Sequence, residues 1–307
     1  FPAVHYSMGG LWADYERSAD GGLDPANPRN HETNVPGMYA IGECDYQYHG
    51  GNRLGANSLL SCIFTGLFTA PGIQAALKNL DRSAGDEAFD SLHRKTRDDH
   101  EAAYQAMLNP PSDGNGSNGS AKGENPYVLH QELGNEMTKA ALVVRDNDQL
   151  REGLAKVGEL CERAKHCRLS DTGSWSNQNV TFTRSLRDMF PVAKAILKGA
   201  LARDECRGAH YKPKFNMPGI EATDPAERRR EAEAWCDAFE EKNRKFLKST
   251  IATFDAEGEP TLSYEDVDTS LIPPRPRLYG LVGAEVIEEV WKERQTAKEH
   301  GAEPAMA

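Results

Sequence analysis

Several features that would assign a protein class at once are missing from this chain of 307 residues. Its six cysteines form no Cys-x-x-Cys pair, so their spacing argues against a zinc or iron–sulfur site, and we predict no bound metal. Scattered free thiols fit a reduced, cytoplasmic compartment. The net charge of -11 argues against a nucleic-acid-binding protein, because such a protein needs a basic surface to neutralise phosphates.

Membrane and export signals are also missing from the sequence. No apolar run approaches the roughly 20 residues that span a bilayer, which predicts no direct insertion into lipid. The longest such run, residues 59–71, is interrupted by polar residues such as Ser61 and Thr65. The chain starts with Phe1 and Pro2 rather than with Met and a basic region, so it shows no secretory signal, and we expect a fragment or a processed product.

The remaining pattern predicts a mixed α+β protein in three parts. Residues 1–82 are rich in glycine and carry a short buried strand near 38–41, followed by a helix over 57–80 that is apolar enough to be buried against a sheet. Residues 83–206 have a helical period and include a loop over 109–125 that is rich in Pro, Gly, Ser and Asn. Residues 207–307 are mixed and end in a short amphipathic helix.

Individual elements follow from periodicity and from capping residues. Asn57 or Ser58 can cap the first helix, and Asp224 followed by proline predicts another helix start. Pro191 lies inside a helical pattern and should either kink that helix or mark its first turn. A strand is expected over 248–254, a turn over 257–260 and largely irregular chain over 263–276. Helices are further expected over 86–107, 128–146, 148–167, 182–204 and 285–298.

Arg53 is the first candidate for chemistry, within the glycine-rich loop 49–56 that leads into the helix. A guanidinium group can hold a carboxylate with two parallel hydrogen bonds, and the glycines let the backbone approach a ligand closely. The start of the helix, with Asn57 and Ser58, would present free N–H groups to a negatively charged ligand. An arginine in a structural turn over a buried helix has the same spacing, so both interpretations stay open.

Two further candidates depend on their position near turns. His5 precedes the turn formed by Gly9 and Gly10, and its imidazole could donate to a second carboxylate, although a structural histidine would give the same pattern. Glu43 follows the predicted strand, where a carboxylate commonly accepts hydrogen bonds from ribose hydroxyls. A surface glutamate at the end of a strand is the alternative.

Four segments in this order resemble the flavoprotein subunits of succinate dehydrogenase and fumarate reductase. They are residues 5–10 (HYSMGG), 36–43 (PGMYAIGE), 49–60 (HGGNRLGANSLL) and 203–211 (RDECRGAHY). Residues 264–267 and 270–275 also resemble the C-terminal segment of variants that partner a di-haem membrane anchor.

The resemblance implies FAD as cofactor and succinate or fumarate as substrate. It implies that His5 and Arg53 hold the substrate carboxylates, that Glu43 contacts the adenine-nucleotide half of FAD, and that Ser58 and Leu59 at the helix start, beside Asn57, contact the flavin. The fold would then be the C-terminal part of a flavin-binding α/β domain (1–82), a helical bundle (83–206) and a small mixed domain (207–307).

Partners and location follow from the same resemblance. It implies an iron–sulfur subunit and a membrane anchor subunit, with the chain attached peripherally to the cytoplasmic side of the membrane through them.

Other parts of the family pattern are missing from the sequence. The chain has no GxGxxG between a strand and a helix, and it lacks the histidine that binds FAD covalently and the capping domain with the arginine that shuttles the proton. The catalytic acid therefore stays unassigned, and we expect no succinate oxidation by the chain alone. Fumarate reductase, an L-aspartate oxidase-like flavoenzyme and a non-catalytic docking fragment remain alternatives.

Overall fold

A computed structural model of the chain describes residues 6–16, 18–20, 22–81, 88–109 and 123–300. The described residues form seven α-helices and one antiparallel pair of strands, so the fold mixes helix and strand. In chain order the elements are α1 (Asn57–Lys78), α2 (Ala88–Leu108), α3 (Pro126–Ala141), α4 (Asn147–Ala164), α5 (Gln178–Ala202), α6 (Pro225–Phe246), β1 (Lys248–Phe254), β2 (Pro260–Asp266) and α7 (Ala284–Glu299).

Helices α3, α4 and α5 pack together around the larger apolar core. Each begins at a residue whose side chain accepts hydrogen bonds from the first turn, namely Asn125, Asp146 and Asn177. The three helices expected over 128–146, 148–167 and 182–204 are confirmed, with shifted ends. Helix α5 begins at Gln178, thirteen residues before Pro191, and continues past the proline. The expectation that Pro191 marks the first turn was therefore wrong. Fully buried side chains of this core include Leu129, Leu150, Val157, Leu160, Leu186, Phe190 and Leu197.

A second, smaller core joins α6 and α7. The predicted cap is confirmed, because the Asp224 side chain accepts hydrogen bonds from the N–H groups of Ala226 and Glu227. Strand β1 has the predicted bounds, and it pairs antiparallel with β2 through a register that joins Lys248 to Asp266. The expectation of irregular chain from residue 263 was wrong in part, since β2 continues to Asp266. The core residues are Ile220, Ala232, Trp235, Cys236, Ile287, Val290 and Trp291.

Helix α1 buries its polar face and not the apolar face that the sequence predicted to be buried. The residues that it buries are Ser61, Thr65, Thr69 and Gly72, whereas its apolar side chains are mostly exposed, with 73% of Leu67 accessible. The predicted burial against a sheet was therefore wrong for the described residues, because the polar face contacts the preceding chain and nothing described covers the apolar face.

The same helix also corrects the expectation that no segment could span a bilayer. By length and composition alone, α1 is sufficient, with a mean hydropathy of 1.4 over 18 residues. A core helix of a soluble protein or a signal sequence passes the same test, so one such helix is weak evidence for a membrane span.

The chain before α1 holds its shape with turns and polar contacts. The expected buried strand near 38–41 is reduced to one isolated bridge between Glu32 and Tyr39, and only Ala40 of that segment is buried. A 3-10 turn, Gly42–Cys44, follows it. Within the described part of residues 1–82, no strand of several residues is present.

The predicted loop 109–125 lies mainly outside the described residues. At its end, Glu124 forms a parallel bridge with Cys167, and its carboxylate accepts a hydrogen bond of 2.9 Å from Nε of Arg163. These contacts tie Glu124 to α4 and to the residue bridge at Cys167, and the character of the loop itself stays a prediction. The division at 82 and 206 stays a prediction.

Candidate functional site

Arg53 lies on an open loop with its charge available. Its side chain is half-buried, and its guanidinium carbon sits 5.7 Å from the centre of the Tyr6 ring. One nitrogen donates to the carbonyl oxygen of Leu54 at 3.2 Å. Among the described residues no carboxylate lies within ion-pair distance of this guanidinium. The loop around it is open, since a Cβ placed on Gly50 or Gly55 would meet no atom within 4 Å. Such a group can bind an anion from outside the chain.

The loop is anchored by a close backbone contact with the segment that follows α5. The N–H group of Ala209 donates to the carbonyl oxygen of Gly51 at 2.9 Å. Gly208 has a φ of 58°, and a Cβ there would lie 2.0 Å from that same oxygen, so no larger residue fits. The two segments that carried the resemblance, 49–60 and 203–211, are therefore packed on each other.

A buried polar cluster fixes this anchor to the rest of the protein. Glu205 is almost fully buried, and its carboxylate oxygens accept hydrogen bonds of 2.9 Å from Nε of Arg203 and from Nε of Arg207. Arg203 also donates to the carbonyl oxygen of Lys248 at 3.0 Å. Because a buried charge must be paired, this cluster holds the end of α5 against the start of β1.

His210 belongs to the same anchor. Its Nε2 lies 2.8 Å from the carbonyl oxygen of Arg203 and therefore carries the proton, while Nδ1 accepts from Arg145 at 2.8 Å. Burial lowers the pKa of His210, and the charge of Arg145 lowers it further. Both ring nitrogens are engaged inside the protein, so the structure gives His210 a packing role.

The start of α1 differs from the predicted cap. The residue before the helix is Ala56, with a left-handed φ of 65°, and no side chain accepts a hydrogen bond there. Asn57 is already the first helical residue, so the expectation that Asn57 or Ser58 caps the helix was wrong. Asn57 and Ser58 are half-buried and Leu59 is exposed. A helix start without a side-chain cap leaves backbone N–H groups for an external acceptor.

Glu43 lies in the turn Gly42–Cys44 and connects it to the first described residues. Its carboxylate accepts a hydrogen bond of 2.8 Å from the N–H group of Ser7 and is otherwise exposed. The turn is held to α1, because the N–H group of Gly42 donates to Oγ1 of Thr65 at 3.0 Å. Glu43 is therefore accessible to a ligand and fixed on one side.

His5 lies outside the described residues, so the predicted convergence of His5 and Arg53 stays a prediction. The structure places its neighbour in sequence, Tyr6, beside the guanidinium of Arg53. Tyr6 also contacts His49, with ring centres 5.0 Å apart and nearly perpendicular planes. Sequence reasoning missed Tyr6, although an aromatic residue next to a candidate histidine was a usable signal.

A second missed group involves the chain that leads into the Arg53 loop. His31 and Asp45 are both buried, with Nδ1 2.7 Å from Oδ2, and Nε2 of His31 lies 2.9 Å from the hydroxyl of Tyr48. His31 has a left-handed φ of 63°, which is uncommon for a residue with a side chain. The three residues fix the chain just before the loop, and no local sequence pattern identifies such a contact.

Comparisons with known proteins identify the family of the chain. A model of the fumarate reductase flavoprotein C-terminal region matches residues 130–279, and a model of an FAD binding domain matches residues 1–59. The succinate dehydrogenase flavoprotein subunit of Bacillus subtilis is 41% identical over 283 residues, which cover 91% of this chain and 40% of that protein. The chain belongs to the family of succinate dehydrogenase and fumarate reductase flavoprotein subunits.

Further members support the assignment. The fumarate reductase flavoprotein subunit of Escherichia coli is 30% identical and matches 91% of this chain and 38% of that protein. A solved quinol–fumarate reductase with menaquinol superposes with a TM-score of 0.61 at 27% identity, over 88% of this chain and 38% of that one. The chain thus spans about two fifths of the length of these relatives. Its cofactor is FAD, as the match of residues 1–59 indicates.

Proposed function

We propose that the chain is the C-terminal part of the flavoprotein subunit of succinate dehydrogenase, which oxidises succinate to fumarate. The observation that supports this most strongly is the position of Arg53. Its guanidinium is unpaired among the described residues and lies over Tyr6, which is covalently next to His5. A cation held in this way, against an aromatic residue that follows a histidine in the sequence, suits a small ligand with two carboxylates.

The residues present fit a bound flavin nucleotide. The start of α1 at Asn57, Ser58 and Leu59 has no side-chain cap and offers N–H groups to the electron-rich edge of the flavin. Glu43 is accessible for the adenine-nucleotide half. FAD, when bound, supplies the acceptor for a hydride from the substrate. Arg53 and His5 would orient the dicarboxylate, and the proton-shuttling arginine of the family lies outside this chain.

The direction of the reaction and the partners are also proposals. The relatives include both succinate dehydrogenase and fumarate reductase subunits, so fumarate reduction is the second candidate. We infer a complex with an iron–sulfur subunit and a membrane anchor subunit, on the cytoplasmic side of the membrane. In that complex, residues 1–82 would complete a flavin-binding α/β domain, beside the helical domain (83–206) and the mixed domain (207–307).

The test uses the full-length subunit in its complex, with succinate and a dye acceptor. We expect Arg53→Gln to lower kcat/KM by about 100-fold or more, because a charge-assisted bidentate contact is lost. The kcat/KM of Arg53→Lys should lie between those of the wild type and Arg53→Gln, since an ammonium keeps the charge but cannot form the same pair of bonds. Arg151→Gln, on the exposed surface of α4, is the matched control. Turnover of L-aspartate in preference to succinate, or full activity of Arg53→Gln, would contradict the proposal.

A further inference from the structure

Three segments of the candidate site meet at one hydroxyl group on α1. Oγ of Ser61 lies 3.2 Å from the hydroxyl of Tyr6 and 3.2 Å from Nε2 of His49. It also donates to the carbonyl oxygen of Ser58 at 2.8 Å. Tyr6 follows the candidate His5, His49 opens the loop that carries Arg53, and Ser58 lies in the first turn of α1. Ser61 therefore joins the segment after His5, the start of the Arg53 loop and the first turn of α1.

The hydrogen-bonding capacity of a serine fixes the direction of these bonds. A hydroxyl has one proton and two acceptor positions. Because the proton goes to the carbonyl oxygen of Ser58, both remaining partners must donate to Ser61. Tyr6 then donates its phenolic proton, and His49 carries a proton on Nε2. All three bonds of the Ser61 hydroxyl are then satisfied together.

The bonds hold the surface on which Arg53 rests. The Tyr6 ring is fixed at one end by Ser61 and along its side by the perpendicular His49 ring. The guanidinium of Arg53 lies over that ring, so its position depends on both contacts. A shift of Tyr6 would move Arg53 and the backbone next to His5 in the same step.

We propose that Ser61 is a positioning residue that sets the geometry of the dicarboxylate site through Tyr6 and His49. This inference rests on the proposed function. Ser61 does not touch the substrate; it aligns the groups that do. Small misplacements of binding groups are costly in enzymes, because the reacting atoms must be held within a fraction of an ångström.

The same helix offers a control for the loss of a hydroxyl group. Thr65, four residues on, donates to the carbonyl oxygen of Ser61 and accepts from Gly42, so it serves the neighbouring turn. Thr69 lies on the same buried face of α1, but its hydroxyl has no hydrogen-bond partner among the described residues. Thr69→Val therefore removes a buried hydroxyl from α1 without breaking a described bond.

The experiment uses the full-length subunit in its complex, with FAD content measured by absorbance. Malonate, an unreactive dicarboxylate, is titrated while the flavin spectrum is followed, and KM and kcat for succinate are measured beside it. We expect Ser61→Ala and Tyr6→Phe each to raise the malonate Kd and the succinate KM about 10-fold, with kcat changed less than about 3-fold. Ser61→Thr should restore most of the affinity, and Thr69→Val should match wild type.

The double variant Ser61→Ala with Tyr6→Phe decides whether the residues act together. If Ser61 and Tyr6 act through one shared bond, the malonate Kd of the double variant should stay near that of either single variant. Wild-type malonate affinity in FAD-loaded Ser61→Ala, or independent effects in the double variant, would overturn the inference. Failure of the wild-type complex to bind malonate would instead contradict the proposed function, so the two outcomes are distinguishable.

Discussion

Helix α5 and helix α1 have similar lengths but bury opposite kinds of side chain. In α5 the buried face is mainly apolar, and Leu197 has no accessible surface. In α1 the buried face carries hydroxyl groups, with Thr65 fully buried, while Leu67 is largely exposed. The bundle region is therefore held by a closed apolar core, whereas the region before residue 80 is held by polar contacts between a helix and the loops that precede it.

The apolar core of the bundle mainly stabilises the fold, whereas the polar contacts of α1 mainly position the candidate site. Polar contacts are directional, so they fix the turns around Glu43 and Arg53 at defined positions. An apolar core stabilises strongly but is less specific about the orientation of any one loop. The exposed apolar face of α1 is large for a surface, and we expect a further part of a longer protein to cover it.

The comparison can be tested most strongly with matched leucine substitutions. Leu197→Ala should lower the free energy of unfolding by about 3 kcal/mol, because it leaves a cavity in a closed core. Leu67→Ala should change it by no more than about 0.5 kcal/mol, since that side chain is already in water. Urea unfolding of the chain, followed by circular dichroism, measures both. Equal effects would show that the exposed face of α1 is packed in solution.

The polar region should respond to loss of one buried carboxylate. Asp45→Asn removes the charge that faces His31 at 2.7 Å while keeping the size of the side chain. We expect a loss of about 2 kcal/mol, because a buried hydrogen bond to a charged group is replaced by a weaker one. Faster amide hydrogen exchange confined to peptides from residues 30–50 would locate the effect.

A surface carboxylate provides the control for that substitution. Asp148→Asn changes an exposed side chain that pairs with Arg151 on the helix surface. Exposed ion pairs contribute little, so its effect should stay within about 0.5 kcal/mol. If Asp45→Asn is as mild as Asp148→Asn, the His31 contact does not stabilise the region.

The two regions also differ in how well their sequences predicted them. In the bundle, apolar periodicity predicted α3, α4 and α5 with ends no more than five residues from those observed, because local pattern and tertiary packing agree there. The position of α1 was predicted correctly, but its sequence pattern could not show that the preceding chain covers the polar face and leaves the apolar face exposed. The contact between Gly51 and Gly208 and the pairing of His31 with Asp45 likewise depend on residues that only the fold brings together.

The smallest expected effect concerns His210, which joins the bundle to the Arg53 loop. Burial lowers its pKa in the folded protein, whereas an unfolded histidine has a pKa of about 6.5. Just below about pH 6.5 the unfolded chain therefore binds more protons than the folded one, and folding becomes less favourable as the pH falls. Above that value the histidine is neutral in both states and adds no pH dependence.

His210→Gln tests this linkage, because a glutamine can donate to Arg203 and accept from Arg145 without taking up a proton. Melting temperatures of both proteins are measured from about pH 7.5 to about pH 5.5, a range above the ordinary titration of carboxylates. We expect the wild type to lose more stability than the variant as the pH falls, so that their difference shifts in favour of the variant. Parallel curves would mean that the imidazole is protonated at no cost in the fold, and the anchor beneath Gly51 would then be more open to water than its contacts indicate.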